Sequence, residues 1–210
     1  MVSPAKVLLP TAYFPPVSYF IHITHFDIAL IEQMETFPKQ TFRNRCEIMT
    51  SAGRLNLIVP VIKPNGNHTI TKDVEICYRE PWQGHQWKTL MTAYRSSPYF
   101  NYYADIIKQL FETDETSLLQ HNFRILKTIT SLLSISLSME YTVDYIKNPE
   151  DFPDLRSEFS PKKRQRAISF LEYPQVFGYK KGFIADLSIL DLLFNMGPEA
   201  GRYVRQVIGH

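Results

Sequence analysis

Residues 8–27 read LLPTAYFPPVSYFIHITHFD, and the parsing of this stretch decides the fold. The apolar run Val7, Leu8, Leu9 stops at Pro10, and Tyr13, Phe14 and the Pro15-Pro16 pair come at once after it. This order predicts a short buried strand, a stiff aromatic turn and a helix that begins at the prolines. Proline's missing N–H would be unpaired in a first helical turn anyway. Val17, Phe20, Ile21 and Thr24 then recur at helical spacing to about Phe26. Asp27 marks the exit, and 28–31 (IALI) reads as a second buried strand. Strand, helix and strand within the first 33 residues argue for a parallel βαβ unit. The expected consequence is a helix N-terminus aimed beyond the strand end, where alternating folds collect ligands, anionic ones above all.

Outward from there, 37–44 shows little periodicity and reads as a loop entering a strand. Residues 46–50 and 54–62 flank Ser51-Ala52-Gly53, with Leu55, Leu57, Val59 and Val61 alternating, which predicts a hairpin. The Asn65-Gly66 pair signals a turn, and Ile70, Val74 and Ile76 share a parity that makes 69–77 a further strand. From Trp82 the period becomes helical. Trp87, Leu90, Met91 and Tyr94 form one apolar face, which Ser97-Pro98 interrupts. Tyr99, Tyr102, Tyr103, Ile106, Ile107, Leu110 and Phe111 make a second helical stripe. Leu119, Phe123, Leu126, Ile129 and Leu133 face inward in a third helix of about 18 residues. Residues 138–143 suit a short strand. Ser160-Pro161 suits a helix start, ahead of Lys162, Lys163, Arg164 and Arg166. Near the end, Leu187, Leu190 and Phe194 face inward in a helix that Gly197 stops, and Pro198 opens a last short one. The expected fold is therefore α/β, a mixed sheet opening with a βαβ unit and a β-hairpin, followed by three or more helices packed on the sheet. An α+β arrangement is the alternative. The whole of 1–210 is expected to be a single domain, with helical segments at 82–138 and 160–210.

Hydrophobic residues make up 44% and charged residues 21% of the 210, which excludes disorder over most of the chain. A net charge of +2 is too small for a phosphate-tracking surface, so no nucleic-acid partner is expected. Cys46 and Cys77 lie far apart with no CxxC partner, which suits a reducing compartment. No signal-peptide core and no run of 18 apolar residues occurs, so membrane insertion is not expected and a cytoplasmic location is. The sequence names no cofactor and fixes no oligomeric state.

Candidate chemistry is scattered. His22 and His25 have HxxH spacing, but without a nearby third ligand they read as structural or surface histidines, and no metal site is assigned. In FRNRC, an extended chain would project Arg43 and Arg45 from one face and Asn44 from the other. Two guanidinium forks side by side suit a phosphate or carboxylate, and Lys39 would join them. The same residues would serve equally as an exposed edge. His85 and Lys88 sit one turn apart opposite an apolar stripe. Imidazole exchanges protons near neutrality, and lysine holds anions, yet solvent-facing residues would look the same. Tyr13 and Tyr19 offer hydroxyls at the first strand's end, or simply pack. Ser188 and Asp191 have the spacing of a capping box. No GxSxG, P-loop, GxGxxG or HExxH is present.

Taken in order, LLPTAYFPPVSYF, FRNRCEI, LNLIVPV, EPWQGHQWKTLMTAYRSSPYF and LSILDLLFNMGPEA resemble the WbqC-like family over nearly the whole chain. The matching positions include Pro10, Tyr13, Phe14, Pro15 and Tyr19, then Asn44 and Arg45. Trp82, His85, Tyr94 and Phe100 come next, with Ser188, Asp191, Asn195 and Gly197 last. Many relatives open with a Gln-Pro-Tyr-type start, where this chain has Pro10-Thr11-Ala12-Tyr13. The resemblance implies a role tied to bacterial O-antigen or other surface-polysaccharide assembly, with transfer of glycine onto a sugar as one form. The expected activity is transfer of a small acyl or aminoacyl group to a sugar or nucleotide sugar. Arg43 and Arg45 would hold an anionic small-molecule substrate with help from the first helix's N-terminus, and Tyr19, Lys39, Asn44 and Lys88 would complete its binding. His85 would be the general base, and Tyr13 would orient the carbonyl. Alternatives are a non-catalytic ligand-binding or scaffold protein of envelope assembly, and a nucleotidyl-transfer enzyme.

Overall fold

The structure, a computed structural model, describes residues 4–161 and 168–207. In chain order the strands are β1 (Lys6–Pro10), β2 (Ile28–Glu32), β3 (Arg45–Thr50), β4 (Gly53–Ile58), β5 (Val61–Ile62), β6 (Glu75–Ile76) and β7 (Ser138–Tyr141). The helices are α1 (Val17–Ile23), α2 (Trp82–Tyr94), α3 (Phe100–Phe111), α4 (Leu118–Leu132), α5 (Gly178–Lys181), α6 (Ile189–Met196) and α7 (Ala200–Gln206). The opening βαβ unit is formed: β1 and β2 pair in parallel from Lys6↔Ile28 to Pro10↔Glu32, with α1 between them. β7 joins the far side of β2, also in parallel, giving the order β1-β2-β7. The outer edge of β1 is covered by 153–155, through Leu8 N to Pro153 O and Leu155 N to Leu8 O, both 2.9 Å. Val7, Leu8 and Leu9 are fully buried, as a strand covered on both faces requires.

The sheet is divided rather than continuous. β3 and β4 make a separate antiparallel ladder that closes at Thr50↔Gly53. Pro60 has no N–H to extend that ladder, so the strand expected over 54–62 ends at Ile58 and resumes as β5 beside β6. The strand expected over 69–77 is reduced to two residues. A 3-10 turn at Thr71–Asp73 intervenes, where Thr71 N reaches Glu35 O at 2.9 Å and Lys72 N reaches Gln33 O at 3.0 Å. Parity alone could not see backbone donors that pair with a loop.

The helices pack on one another as much as on strands: α1 touches α6 and α7, α2 touches α3, and α3 and β3 touch α6. The ring of Phe123 on α4 lies 4.8 Å from that of Tyr141, at the carboxyl end of β7. Buried faces differ from the predicted stripes at their margins. Tyr102 and Ile106 on α3 are exposed. On α4 the buried face runs through Leu118, Asn122, Ile125 and Ile129, which places three polar residues, His121, Asn122 and Thr130, inside. Ser160 and Pro161 are not helical, and the rest of the helix expected to start there lies outside the described residues.

Candidate functional site

Parallel strands send their carboxyl ends to one edge of a sheet, and here residues 11–14 leave β1 at that edge. The turn is tight. Phe14 has φ +38°, which is unusual for a bulky side chain and costs on the order of 1–3 kcal/mol unless neighbours impose it. Its neighbours do: Ser188 Oγ donates to Phe14 O at 2.9 Å, and the ring stacks 5.5 Å from that of Phe111. Tyr13 is thereby turned inward. Its backbone N–H reaches Phe42 O at 2.9 Å, and its hydroxyl donates to Gln86 Oε1 of α2 at 2.8 Å. Gln86 in turn donates to Ile58 O at 2.8 Å. Burial pushes the Tyr13 hydroxyl well above the ordinary range, so it stays a protonated donor.

Against Tyr13 lies His121 of α4, with ring centroids 5.8 Å apart, and beyond it the ring of Trp82 at 6.2 Å. Asn122 uses both amide hydrogens, donating to Thr11 Oγ1 at 3.1 Å and to Arg43 O at 2.7 Å. Four buried polar atoms of this cluster have no partner: Trp82 Nε1, both ring nitrogens of His121, and Asn122 Oδ1. Each such atom ordinarily costs about 1–3 kcal/mol, so they are the residues to explain. His121 is 1% exposed, and desolvation, with Arg124 next, lowers its pKa from 6.5 to about 4. It is therefore a neutral imidazole with one donor and one acceptor.

Two of the guanidiniums nearby, those of Arg43 and Arg156, are already matched. Arg43, 3% exposed, donates from Nε and Nη2 to Glu35 Oε1 at 2.8 and 2.5 Å. Arg156 contacts Glu32 at 3.3 Å and Asp154 at 2.6 Å. Glu32, fully buried at the carboxyl end of β2, also accepts from Met34 N and Thr142 Oγ1 at 2.7 and 3.0 Å.

The sequence-derived candidates fall into distinct places. Arg43 lies in the turn before β3 and not in an extended strand, so the expected shared face with Arg45 is not formed, and its fork is closed by Glu35. Arg45 is half-buried, with its Nε unpartnered. It pairs across the ladder with Ile58, whose carbonyl Gln86 holds. Asn44 brackets Val59, donating to its carbonyl at 3.0 Å. Tyr19 is buried and donates to Pro10 O at 3.1 Å. Lys39 is exposed. His85 and Lys88 are exposed on α2, and Lys88 borders a cleft of about 250 Å³ with Thr50, Ser51, Thr92 and Phe177. The first helix's N-terminus does not face a ligand: Asp186 occupies it, accepting from Ser18 N at 2.8 Å and Ser18 Oγ at 3.0 Å. Ser188 caps α6 through Leu190 N, but Asp191 does not reach back as a capping box would. Its carboxylate is buried and takes hydrogens from Tyr94, Tyr173 and Gln175 at 2.8–2.9 Å. His22 and His25 belong to no group of three metal-ligating side chains among the described residues.

His121, Asn122 and Asp186 were not singled out by sequence reasoning. A signal for Asn122 existed: it stands four residues after Leu118 and four before Leu126, a polar residue on an apolar stripe. Asp186 offered none, since its role depends on a helix 168 positions away.

Fold and cluster together define an α/β protein with a polar, largely neutral centre at the carboxyl edge of a short parallel sheet. The chain belongs to the WbqC-like protein family, whose model matches residues 11–159. It is similar to the uncharacterized protein Rv1507c of Mycobacterium tuberculosis, with 27% identity over 228 aligned positions covering 94% of this chain and 96% of that one. No solved structure matches it. Among the described residues, no helix is long and apolar enough to cross a membrane.

Proposed function

We propose that the protein is a cytoplasmic transferase of surface-polysaccharide assembly, moving a small acyl or aminoacyl group, glycine among them, onto a sugar or nucleotide sugar. The observation that carries this reading is the convergence of 11–13, 42–45, α2 and α4 around Tyr13 at the carboxyl edge of the parallel strands, the position where α/β folds bind substrates. Tyr13, held protonated, suits a donor that orients a carbonyl rather than a base. Arg45 is the guanidinium assigned to the anionic part of the substrate, since Arg43 is committed to Glu35. His85 is assigned as the base, on the same turn of α2 as Gln86, with Lys88 and Lys39 as solvent-side cations. Tyr19 and Asn44 shape the walls through Pro10 and Val59.

The test is a transfer assay with labelled glycyl and acetyl donors and a panel of nucleotide sugars. Wild-type turnover should fall by about 10²-fold or more in His85→Ala, the usual scale for a lost acid–base group. Arg45→Ala should mainly raise KM. Saturable binding with no transfer under any donor would support the non-catalytic ligand-binding reading instead, and pyrophosphate release from ATP or CTP the nucleotidyl-transfer one.

A further inference from the structure

We propose that the cleft between the β3–β4 turn, α2 and the start of α5 is a binding site for a monosaccharide that carries one anionic group. The cleft, of about 250 Å³, is open to solvent: Ala93 is buried, Thr50, Thr89 and Phe177 are half-buried, and Ser51, Lys88 and Thr92 are exposed. Drug-sized ligands occupy about 300–1,000 Å³, so this space suits one substituted ring and not a whole nucleotide sugar. The groups that line it set the ligand's chemistry. Thr50 Oγ1 donates to Gly53 O at 2.8 Å, Thr89 Oγ1 to His85 O at 2.8 Å and Thr92 Oγ1 to Lys88 O at 2.9 Å. With their hydrogens spent on the backbone, these three hydroxyls offer a ligand only acceptor oxygens. Lys88 offers only donors, and it has no ion-pair partner among the described residues. A matching ligand therefore brings hydroxyls that donate and an anionic oxygen for the ammonium, all on one small frame.

Charge excludes the other classes. Of the Asp, Glu, Lys and Arg residues on β3, β4, α2 and α5, Glu47 and Arg54 pair with each other, and Arg45, Lys88, Lys180 and Lys181 are cations. No carboxylate lines the cleft, and Glu172, the acidic residue closest in sequence to Phe177, lines a separate one with Tyr173 and Tyr179. A cationic ligand finds no counter-charge there. Inorganic phosphate would satisfy Lys88 but set its anionic oxygens against the three threonine oxygens, and a neutral sugar would satisfy the threonines but leave the ammonium to water. Phe177 and Ala93 supply the apolar wall on which the carbon face of a sugar ring packs. The site rests on the transferase reading only in taking the bound sugar to be a substrate, held one turn of α2 from His85.

The experiment is amide NMR titration of the full chain, following residues 50–53 and 88–93. Probes are glucose 1-phosphate and glucuronate, with methyl glucoside and inorganic phosphate as controls. Both anionic sugars should shift those amides saturably, the tighter of the two naming the anionic group. Each control should bind more weakly by about tenfold or more, the scale of a charge-assisted hydrogen bond. Lys88→Met, on an exposed helical position where the fold tolerates it, should remove the preference for the anionic sugars over methyl glucoside, and Lys88→Arg should restore it. Thr92→Val should weaken all three sugars by about threefold to tenfold, the loss of one acceptor. Amides of the cleft unmoved by saturating glucose 1-phosphate, inorganic phosphate binding as tightly as the sugar phosphate, or binding indifferent to Lys88→Met would overturn the site. The two readings fail separately. Transfer that depends on His85, with no sugar bound in this cleft, removes the site but keeps the transferase, whereas saturable binding here without transfer from any donor does the reverse.

Discussion

A buried guanidinium is tolerated only beside a charge that matches it, and Arg43 with Glu35 is such a pair. Its worth lies in what remains when one partner goes. Arg43→Ala should lower unfolding stability by about 3–5 kcal/mol in urea titration, because it strands the Glu35 carboxylate. The double variant Arg43→Met, Glu35→Leu should recover part of that loss. A single-variant effect near zero would return Arg43 to the role of a free anion holder. Two other residues act in opposite senses with pH. Asp186, raised by burial from 3.8 to about 6, keeps its proton in the fold where the unfolded chain has lost it, so its contribution falls as pH rises through that window. His121, lowered by desolvation from 6.5 to about 4, stays neutral where the unfolded chain is protonated, so its contribution is full at neutrality and falls as pH drops. Asp186→Asn should gain on wild type between pH 4 and 6, and His121→Gln should lose the rising slope over nearly the same range. Each effect is on the order of 2–4 kcal/mol. Parallel pH profiles for all three proteins would contradict both. Tyr13 was legible in the sequence because it sits in a turn that its prolines announce. The partners of Tyr13 were not, since Gln86 and His121 lie on helices far along the chain and side-chain type carries no record of who faces whom.

Elements formed where local chemistry and packing agree. The βαβ unit was readable because Pro10, Pro15 and Pro16 punctuate it and the period changes between them. The α1 N-terminus reads as a ligand cradle in the sequence because nothing local says that Asp186 fills it. The end of α6 shows the stronger kind of signal. Gly197 has φ +56°, and a Cβ there would lie 2.4 Å from the Tyr99 ring. The left-handed backbone costs an L-residue about 1–2 kcal/mol, and forcing the ring aside adds about 1–3 more. Gly197→Ala should therefore destabilise by roughly 2–5 kcal/mol. Tyr99→Ala in the same background should relieve the steric part and leave the backbone part, a split that urea unfolding of the four proteins measures.

At the scale of the whole molecule, the family match ends at 159, yet the fold is closed by helices that lie beyond that point. Seven consecutive residues of α6, Ile189 to Asn195, are buried, so this helix has no solvent face and is a centre rather than a cover. It is stitched to the opening turn by Ile189 N to Pro15 O at 2.9 Å, to α1 by Val17 N to Leu187 O at 3.0 Å, and to α3 by Tyr99 N to Phe194 O at 3.0 Å. Ser188 N reaches Glu47 O of β3 at 2.7 Å. Sequence periodicity registers a short apolar helix here but cannot tell that four distant segments depend on it. Burying Ile189, Leu190, Leu192, Leu193 and Phe194 contributes about 1.5–3 kcal/mol each, a sum on the scale of a domain's entire net stability of about 5–15 kcal/mol. We propose on this ground that the chain is one folding unit. A fragment of residues 1–160 should show no cooperative urea transition and no dispersed amide spectrum, whereas the full chain should unfold in one step with coincident fluorescence and circular dichroism. Cooperative unfolding of the fragment on its own would overturn the proposal, because Phe14, Val17 and Tyr99 would then have found cover without the helix that holds them.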